Sequence, residues 1–290
     1  MSGPLAARTP DGSRLHLQHG PIDLIVEAWG EPADVADGYR RAWERFQPLL
    51  DELVAELPAL RRPLEPSADA FSGSVARRMA AAVLPFGDRF ITPMAAVAGA
   101  VADEICHEMT VGGGLRRAYV NDGGDIALYL SPGTSFDVGV VAVPERPALL
   151  GRATLRSDDP VRGVATSGRH GRSFSLGIAD SVTVLAADAA RADAAATLIA
   201  NAVDLPGHPA IRRTPASELD PDSDLGERMV TVEVGALGSD EVARALERGV
   251  DEAERMRHDG LIVAAVLGLE DRVSRVAAPS APVLASADGR

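Results

Sequence analysis

The sequence predicts an α+β protein with antiparallel sheets packed against helices, and three observations carry that reading. Strand-like and helix-like stretches alternate irregularly, with hairpin signals among the strands, whereas a doubly wound parallel sheet alternates them regularly. Aromatic residues make up only 4% of the chain while alanine, valine and glycine abound, so the core is built from small aliphatic side chains that permit tight backbone approach. No fixed-period repeat is obvious by eye.

Taken in order, Arg14-Leu-His-Leu-Gln18 and Ile22 to Ala28 read as two strands around a Gly20-Pro21 turn. Val35 to Leu60 carries apolar residues at helical spacing, with Pro48 expected to split or kink the helix and Pro58 near its end. A short helix over Ser67 to Leu84 stops at Pro85-Phe-Gly87. Pro93 to Met109 is apolar nearly all round, as a buried helix is, and Pro93 suits its first turn. Gly112-Gly-Gly114 ends it. Arg117 to Val120 and Ile126 to Leu130 are strands joined by Asn121-Asp-Gly-Gly-Asp125, and Phe136 to Val143 is another strand. Arg162 to Phe174 reads as a polar loop, followed by a strand over 178–186 and a helix over 189–203. A proline- and aspartate-rich loop spans Asp204 to Arg228; then come a strand over 229–234, a helix over 240–257 and a strand over 261–267.

With 290 residues the chain suffices for one large domain or two small interlocked ones. We expect a flexible N-terminus over 1–13, an α+β domain over 14–270 and a disordered tail over 271–290. The N-terminus lacks a basic region followed by an apolar run, and no stretch is long and apolar enough to span a bilayer, so a cytoplasmic location is expected. The single cysteine, Cys106, excludes an intrachain disulfide and fits a reducing compartment.

All 29 basic residues are arginine, which excludes a lysine Schiff base, a P-loop lysine and a lysine general base. The net charge of −13 repels nucleic acid and anionic membranes, so neither is an expected partner.

Five groups of residues are candidates for a site. Asp193 and Thr197 lie four residues apart, hence on one helical face, and offer two oxygens to a hard cation such as Mg²⁺. The plainer reading is an acid near a helix N-terminus and a threonine bonded to its own turn. Gly123 and Gly124, with Asp125, form either an amide cradle for a phosphate or simply a tight hairpin turn. Ala165-Thr-Ser-Gly-Arg-His-Gly-Arg172 gathers hydroxyls, arginines and a histidine between glycines, a set suited to holding a pyrophosphate or carboxylate, or else a solvated loop facing acidic surface. Asp103, Cys106 and His107 share a helix face but lack a fourth metal ligand, and the polar end of an apolar helix accounts for them better. The acids of Asp220-Pro-Asp-Ser-Asp224 depart from calcium-loop spacing.

Read in order, Pro93-Met-Ala-Ala-Val-Ala-Gly-Ala-Val-Ala-Asp103, Asn121-Asp-Gly-Gly-Asp-Ile126, Ala165-Thr-Ser-Gly168, Ser181-Val-Thr-Val184 and Ala192-Asp-Ala-Ala-Ala-Thr197 resemble the ApbE superfamily of FAD:protein FMN transferases over about residues 14–270. Gln18-His-Gly-Pro-Ile-Asp-Leu24, Thr92 to Gly99 and Asp222 to Gly226 are more similar to a small cytoplasmic branch of it. The resemblance implies a T-fold-like α+β architecture with FAD in a cleft. It implies Mg²⁺ at Asp193 and Thr197, and nucleotide contacts at Gly123, Gly124, Asp125, Thr166, Ser167, Gly168 and Arg172. Gly99 and Asp103 match the glycine and aspartate of the family's earlier helix. Two family features are missing. Ala98 stands where the transferases carry a lysine, and their His-Ile-Ile-Asp-Pro-type segment is absent, which leaves His170 as the candidate base.

Three readings follow: a Mg²⁺-dependent FMN or phosphoryl transferase; a ligand-binding accessory protein, in sulfur-amino-acid metabolism, without transferase chemistry; or a structural domain whose small-residue stretch 94–102 packs a homodimer interface.

Overall fold

The computed structural model describes residues 3–65, 71–143 and 146–278. The chain partitions into two compact units interleaved in sequence: residues 1–136, 156–165 and 186–194 form the first, and 137–155, 166–185 and 195–290 the second.

The first unit is an antiparallel sheet covered by helices. Its strands are β1 (Leu5–Arg8), β2 (Arg14–His19), β3 (Ile22–Gly30), β4 (Leu115–Asp122) and β5 (Asp125–Leu130), hydrogen-bonded in that order. β5 then meets the start of β8 (Gly163–Ser167) through Ile126↔Val164. β3 alternates buried Ile22, Leu24, Val26 and Ala28 with half-exposed neighbours, as a strand with one covered face must. The cover is α1 (Pro32–Leu60), α2 (Ser74–Val83) and α3 (Val97–Thr110), the last entered through a 3-10 turn at Pro93–Ala96.

Of the two outcomes expected at Pro48, a split does not occur; both Pro48 and Pro58 lie inside one helix. The reason is packing. Tyr39, Ala42, Phe46, Leu49, Leu50 and Leu53 are buried along one face, and burying each large apolar side chain contributes about 1.5–3 kcal/mol, enough to offset one missing N–H.

The second unit holds β9 (Ser181–Ala186), β12 (Ala264–Leu269) and β13 (Arg272–Ala277) as an antiparallel set, with β12 in the middle. β9 and β12 are buried throughout, and α6 (Ser239–His258) packs on β12 and β13. Two ribbons complete it: β6 (Ser135–Val143) with β7 (Arg146–Arg156), and β10 (Ile211–Pro215) with β11 (Met229–Val234). α5 (Ala216–Leu219) is a single turn between β10 and β11. α4 (Ala189–Ala202) begins in the first unit and ends in the second.

Two boundary expectations need correction. The stretch 1–13 contains β1, because Leu5 to Arg8 completes a ladder with Gln18 to Leu15 even though none of its side chains is buried. The stretch 271–290 contains β13, whose Val276 is buried; residues 279–290 lie outside the described ones. Among the described residues no helix is long and apolar enough to cross a membrane.

Candidate functional site

The chemistry-bearing residues of the first unit gather where the β4–β5 hairpin, the start of α3 and the start of α4 come together. The hairpin turn is Gly123-Gly124, with φ of 63° and 117°, values open to glycine and costly for other residues. Asp122 and Asp125 close it as cross-strand partners. Asn121 Oδ1 accepts the Gly124 N–H at 2.8 Å, so this amide serves the turn itself. Two aspartates face each other across the strands, and Asp122 is buried, an arrangement that concentrates negative charge.

α4 supplies the third acid. Its first residue approaches α3 so closely that a Cβ on Gly99 would lie 2.3 Å from the Ala189 carbonyl oxygen. Asp103 of α3 accepts the Ala189 and Ala190 N–H groups at 3.0 and 2.9 Å, satisfying two donors of the first turn of α4 that have no partner within the helix. Asp188 accepts a third, from Arg191. Gly99, one of the small residues of the stretch 94–102, makes this close contact within the chain.

One turn into α4, Asp193 Oδ2 accepts the Gly99 N–H at 3.1 Å. Its pKa is raised well above the usual carboxylate range, first by burial, then by the Asp125 charge, with Asp122 adding less; the Gly99 and Ala98 amides oppose the shift. Asp193, Asp125 and Asp122 therefore form an electrostatically coupled group. All its donors are oxygens, the chemistry a hard cation takes. Among the described residues no three His, Cys, Asp or Glu side chains form a ready ligand cage. Thr197 lies one turn further along α4 and is half-buried.

The Thr-Ser-Gly-Arg-His loop lies in the second unit. Thr166 and Ser167 are the last residues of β8 rather than loop, and the Thr166 and Thr183 hydroxyls are 2.9 Å apart. Gly168, at φ 154°, passes so near Asp180 that a Cβ would lie 2.3 Å from its carbonyl oxygen. Asp180, which the sequence reading did not single out, organises this loop. Arg169 donates to it at 2.8 and 2.7 Å, His170 Nε2 stands 3.2 Å from the same oxygen, and its other oxygen accepts the Glu270 N–H. So Arg169 and His170 face an acid of their own unit, while Arg172 is exposed.

The remaining candidates resolve simply. Cys106 is buried and its thiol is pushed up to about 12, chiefly by burial; Asp103 caps α4; His107 is exposed. Asp220 accepts the Asp222 N–H, a local turn bond. Asp122 and Asp180 were visible only as turn or strand-edge acids, and nothing in their spacing marks them.

The model of the family described as AbpE bacteria matches residues 6–275. A UPF0280 protein of Methanosphaerula palustris is 36% identical over 164 residues, covering 53% of this chain and 63% of that one. A UPF0280 protein of Methanosarcina acetivorans is 33% identical over 184 residues, 63% of this chain and 70% of its own. The chain thus spans about six tenths of the first relative's length. Among solved structures, the ApbE protein of Thermotoga maritima superposes with a TM-score of 0.51 at 13% identity, covering 90% of this chain and 96% of that one. A point mutant of the flavin transferase ApbE from Vibrio cholerae gives 0.50 at 14%, covering 96% and 98%. These likenesses establish an ApbE-type α+β fold, and with the match over residues 6–275 the chain belongs to the AbpE bacteria family.

Proposed function

We propose that this protein binds a flavin nucleotide of the FAD type through its diphosphate, with a Mg²⁺ ion held at the Asp193 end of α4. One observation carries the reading: half-buried Asp193, held by the Gly99 N–H, lies in the field of Asp125 and Asp122 and is correspondingly reluctant to ionise. A divalent cation would relieve that repulsion. Mg²⁺ keeps several waters and takes one or two carboxylates together with substrate phosphates, so a full protein cage is not required. Family membership and the ApbE-type fold support the choice of ligand.

In this reading Asp193 and Thr197 face the ion from successive turns of α4. Gly99 fixes the carboxylate, and Gly123, Gly124 and Asp125 border the nucleotide. The second unit's own candidates for nucleotide contacts are Thr166, Ser167, Gly168 and Arg172. The bound ion would neutralise charge on the diphosphate. For FMN transfer, an acceptor hydroxyl forms a bond to the FMN phosphorus, the bond to the AMP phosphate breaks, and His170 takes the hydroxyl proton.

A second reading, binding without transfer, is favoured by Ala98 in the position of the family lysine and by the contact of His170 with Asp180. Titration of the purified protein with FAD, with and without Mg²⁺ and a threonine-bearing acceptor peptide, separates the two. Mg²⁺-dependent AMP release with covalent flavin establishes the transferase. Saturable FAD binding without AMP establishes the binding protein. No binding in either condition overturns both.

A further inference from the structure

On the opposite face of the first unit's sheet, at the far end of β4, an open concavity of about 250 Å³ is lined by Trp29, Arg116, Arg117, Thr134 and Ser135. We propose that it binds a small aromatic anion, a carboxylate or phosphate ester carried on a single ring.

The two arginines are the first argument. Arg117 is held in place: its guanidinium lies 4.4 Å from the Trp29 ring centre and 5.0 Å from that of Phe136, and one N–H donates to the Ser135 carbonyl at 2.8 Å. Arg116 is exposed. In a chain with 42 acidic residues, neither arginine has a carboxylate within ion-pairing distance among the described residues. Glu27 lies on the same face, one cross-strand pair from Trp29↔Arg117, but it is bonded by Arg14 at 2.8 Å and by the Tyr119 hydroxyl at 3.0 Å. The remaining N–H groups of Arg117, with Arg116 and Ser135 in the same lining, match the donor set a carboxylate or phosphate needs, while the Thr134 hydroxyl donates to the Ser131 carbonyl at 2.7 Å and only frames the rim.

The aromatic wall is the second. Trp29, Tyr119 and Phe136 pack at ring separations of 5.5 to 6.2 Å, giving a firm apolar edge beside the cations. Size then selects the ligand. The volume falls below the roughly 300–1,000 Å³ of sites for drug-sized molecules, so it suits one ring with its anionic group and not a dinucleotide.

This site is distinct from the Asp193 group. Side chains alternate faces along a strand, so Arg117 and Tyr119 point away from Ala118, Val120 and Asp122, and the bulge that skips Arg116 between Trp29↔Arg117 and Gly30↔Leu115 takes Arg116 out of that alternation. Asp122 also lies five positions from Arg117, roughly 17 Å along β4.

The test uses Trp43→Phe protein, which leaves Trp29 as the only tryptophan, titrated with phenyl phosphate, sodium benzoate, inorganic phosphate and phenol while Trp29 emission is followed. Phenyl phosphate or benzoate should give a saturable change, and the tighter of the two identifies the anion. Binding should weaken about tenfold or more in Arg116→Ala and with phenol, and should fall as salt rises. Asp193→Asn should leave it unchanged, which separates it from the flavin reading. A thermal midpoint like that of the parent shows that Arg116→Ala is folded. No saturable change with either ring anion overturns the proposal, as does undiminished binding in both Arg116→Ala and Arg117→Gln. Equal affinity for inorganic phosphate overturns its aromatic part.

Discussion

The backbone N–H of Gly99 donates to the Asp193 carboxylate at 3.1 Å, and Gly99 also has no room for a side chain, because a Cβ there would lie 2.3 Å from the Ala189 oxygen. One residue thus lets α4 approach α3 and fixes the acid on which the functional reading depends. Gly99→Ala forces backbone against backbone, which nothing flexible relieves. It should cost about 1–3 kcal/mol, read as a lowered thermal midpoint, and should weaken any Mg²⁺-dependent flavin binding.

Asp193→Asn removes one of three mutually repelling acids while leaving an acceptor for Gly99. Without metal, the variant should melt no lower than the parent. Mg²⁺ should raise the parent's midpoint and not the variant's, since a ligand stabilises only the fold that binds it. A midpoint that rises with Mg²⁺ in both would move the ion elsewhere.

Much of this was readable in the chain itself. The β2–β3 and β4–β5 hairpins were announced by Gly20-Pro21 and Gly123-Gly124 between alternating apolar residues, and α3 by its small-residue run. Asp193 was visible from its helical register with Thr197. What stayed hidden depended on partners distant in sequence. β1 buries nothing and exists because β2 offers it a ladder. β8 and β10 lay inside stretches too polar to read as strands. Asp122 and Asp180 became meaningful only once folding brought Asp193 near the first and Arg169 near the second.

Asp103 gives the stability a pH dependence of defined sign. Burial pushes its pKa from 3.8 up to about 7, with the Asp188 charge adding to the shift and the Ala190 and Ala189 amides opposing it. Between those two values the folded chain holds a proton that the unfolded chain has released, so the free energy of unfolding falls as pH rises through that window. Acidifying from about pH 7 toward pH 5 should therefore raise the parent's thermal midpoint. Asp103→Asn should be less stable overall, having lost one acceptor for the α4 amides at a cost of about 0.5–2 kcal/mol, and should show a flatter pH profile. An equal slope in both proteins would place the titrating group elsewhere.

Asp180 offers the sharpest test of the loop that carries His170. It receives Arg169, His170 and the Glu270 amide at once, and Glu270 holds a φ of 53°, the lone non-glycine with positive φ among the described residues. Removing the carboxylate in Asp180→Ala strands a half-buried guanidinium and a backbone donor, a loss of about 1–3 kcal/mol. The loss should be local in its effect: amide exchange should quicken at Arg169 and Gly171, whose N–H groups bond Ala179 and Gly168, while Val184 and Val266 in the β9–β12 ladder stay protected. If the transferase reading holds, AMP release should fall in this variant while FAD affinity changes little, because His170 would lose the group that orients it. Unchanged exchange at Arg169 and Gly171 would show that the loop is held by its backbone alone.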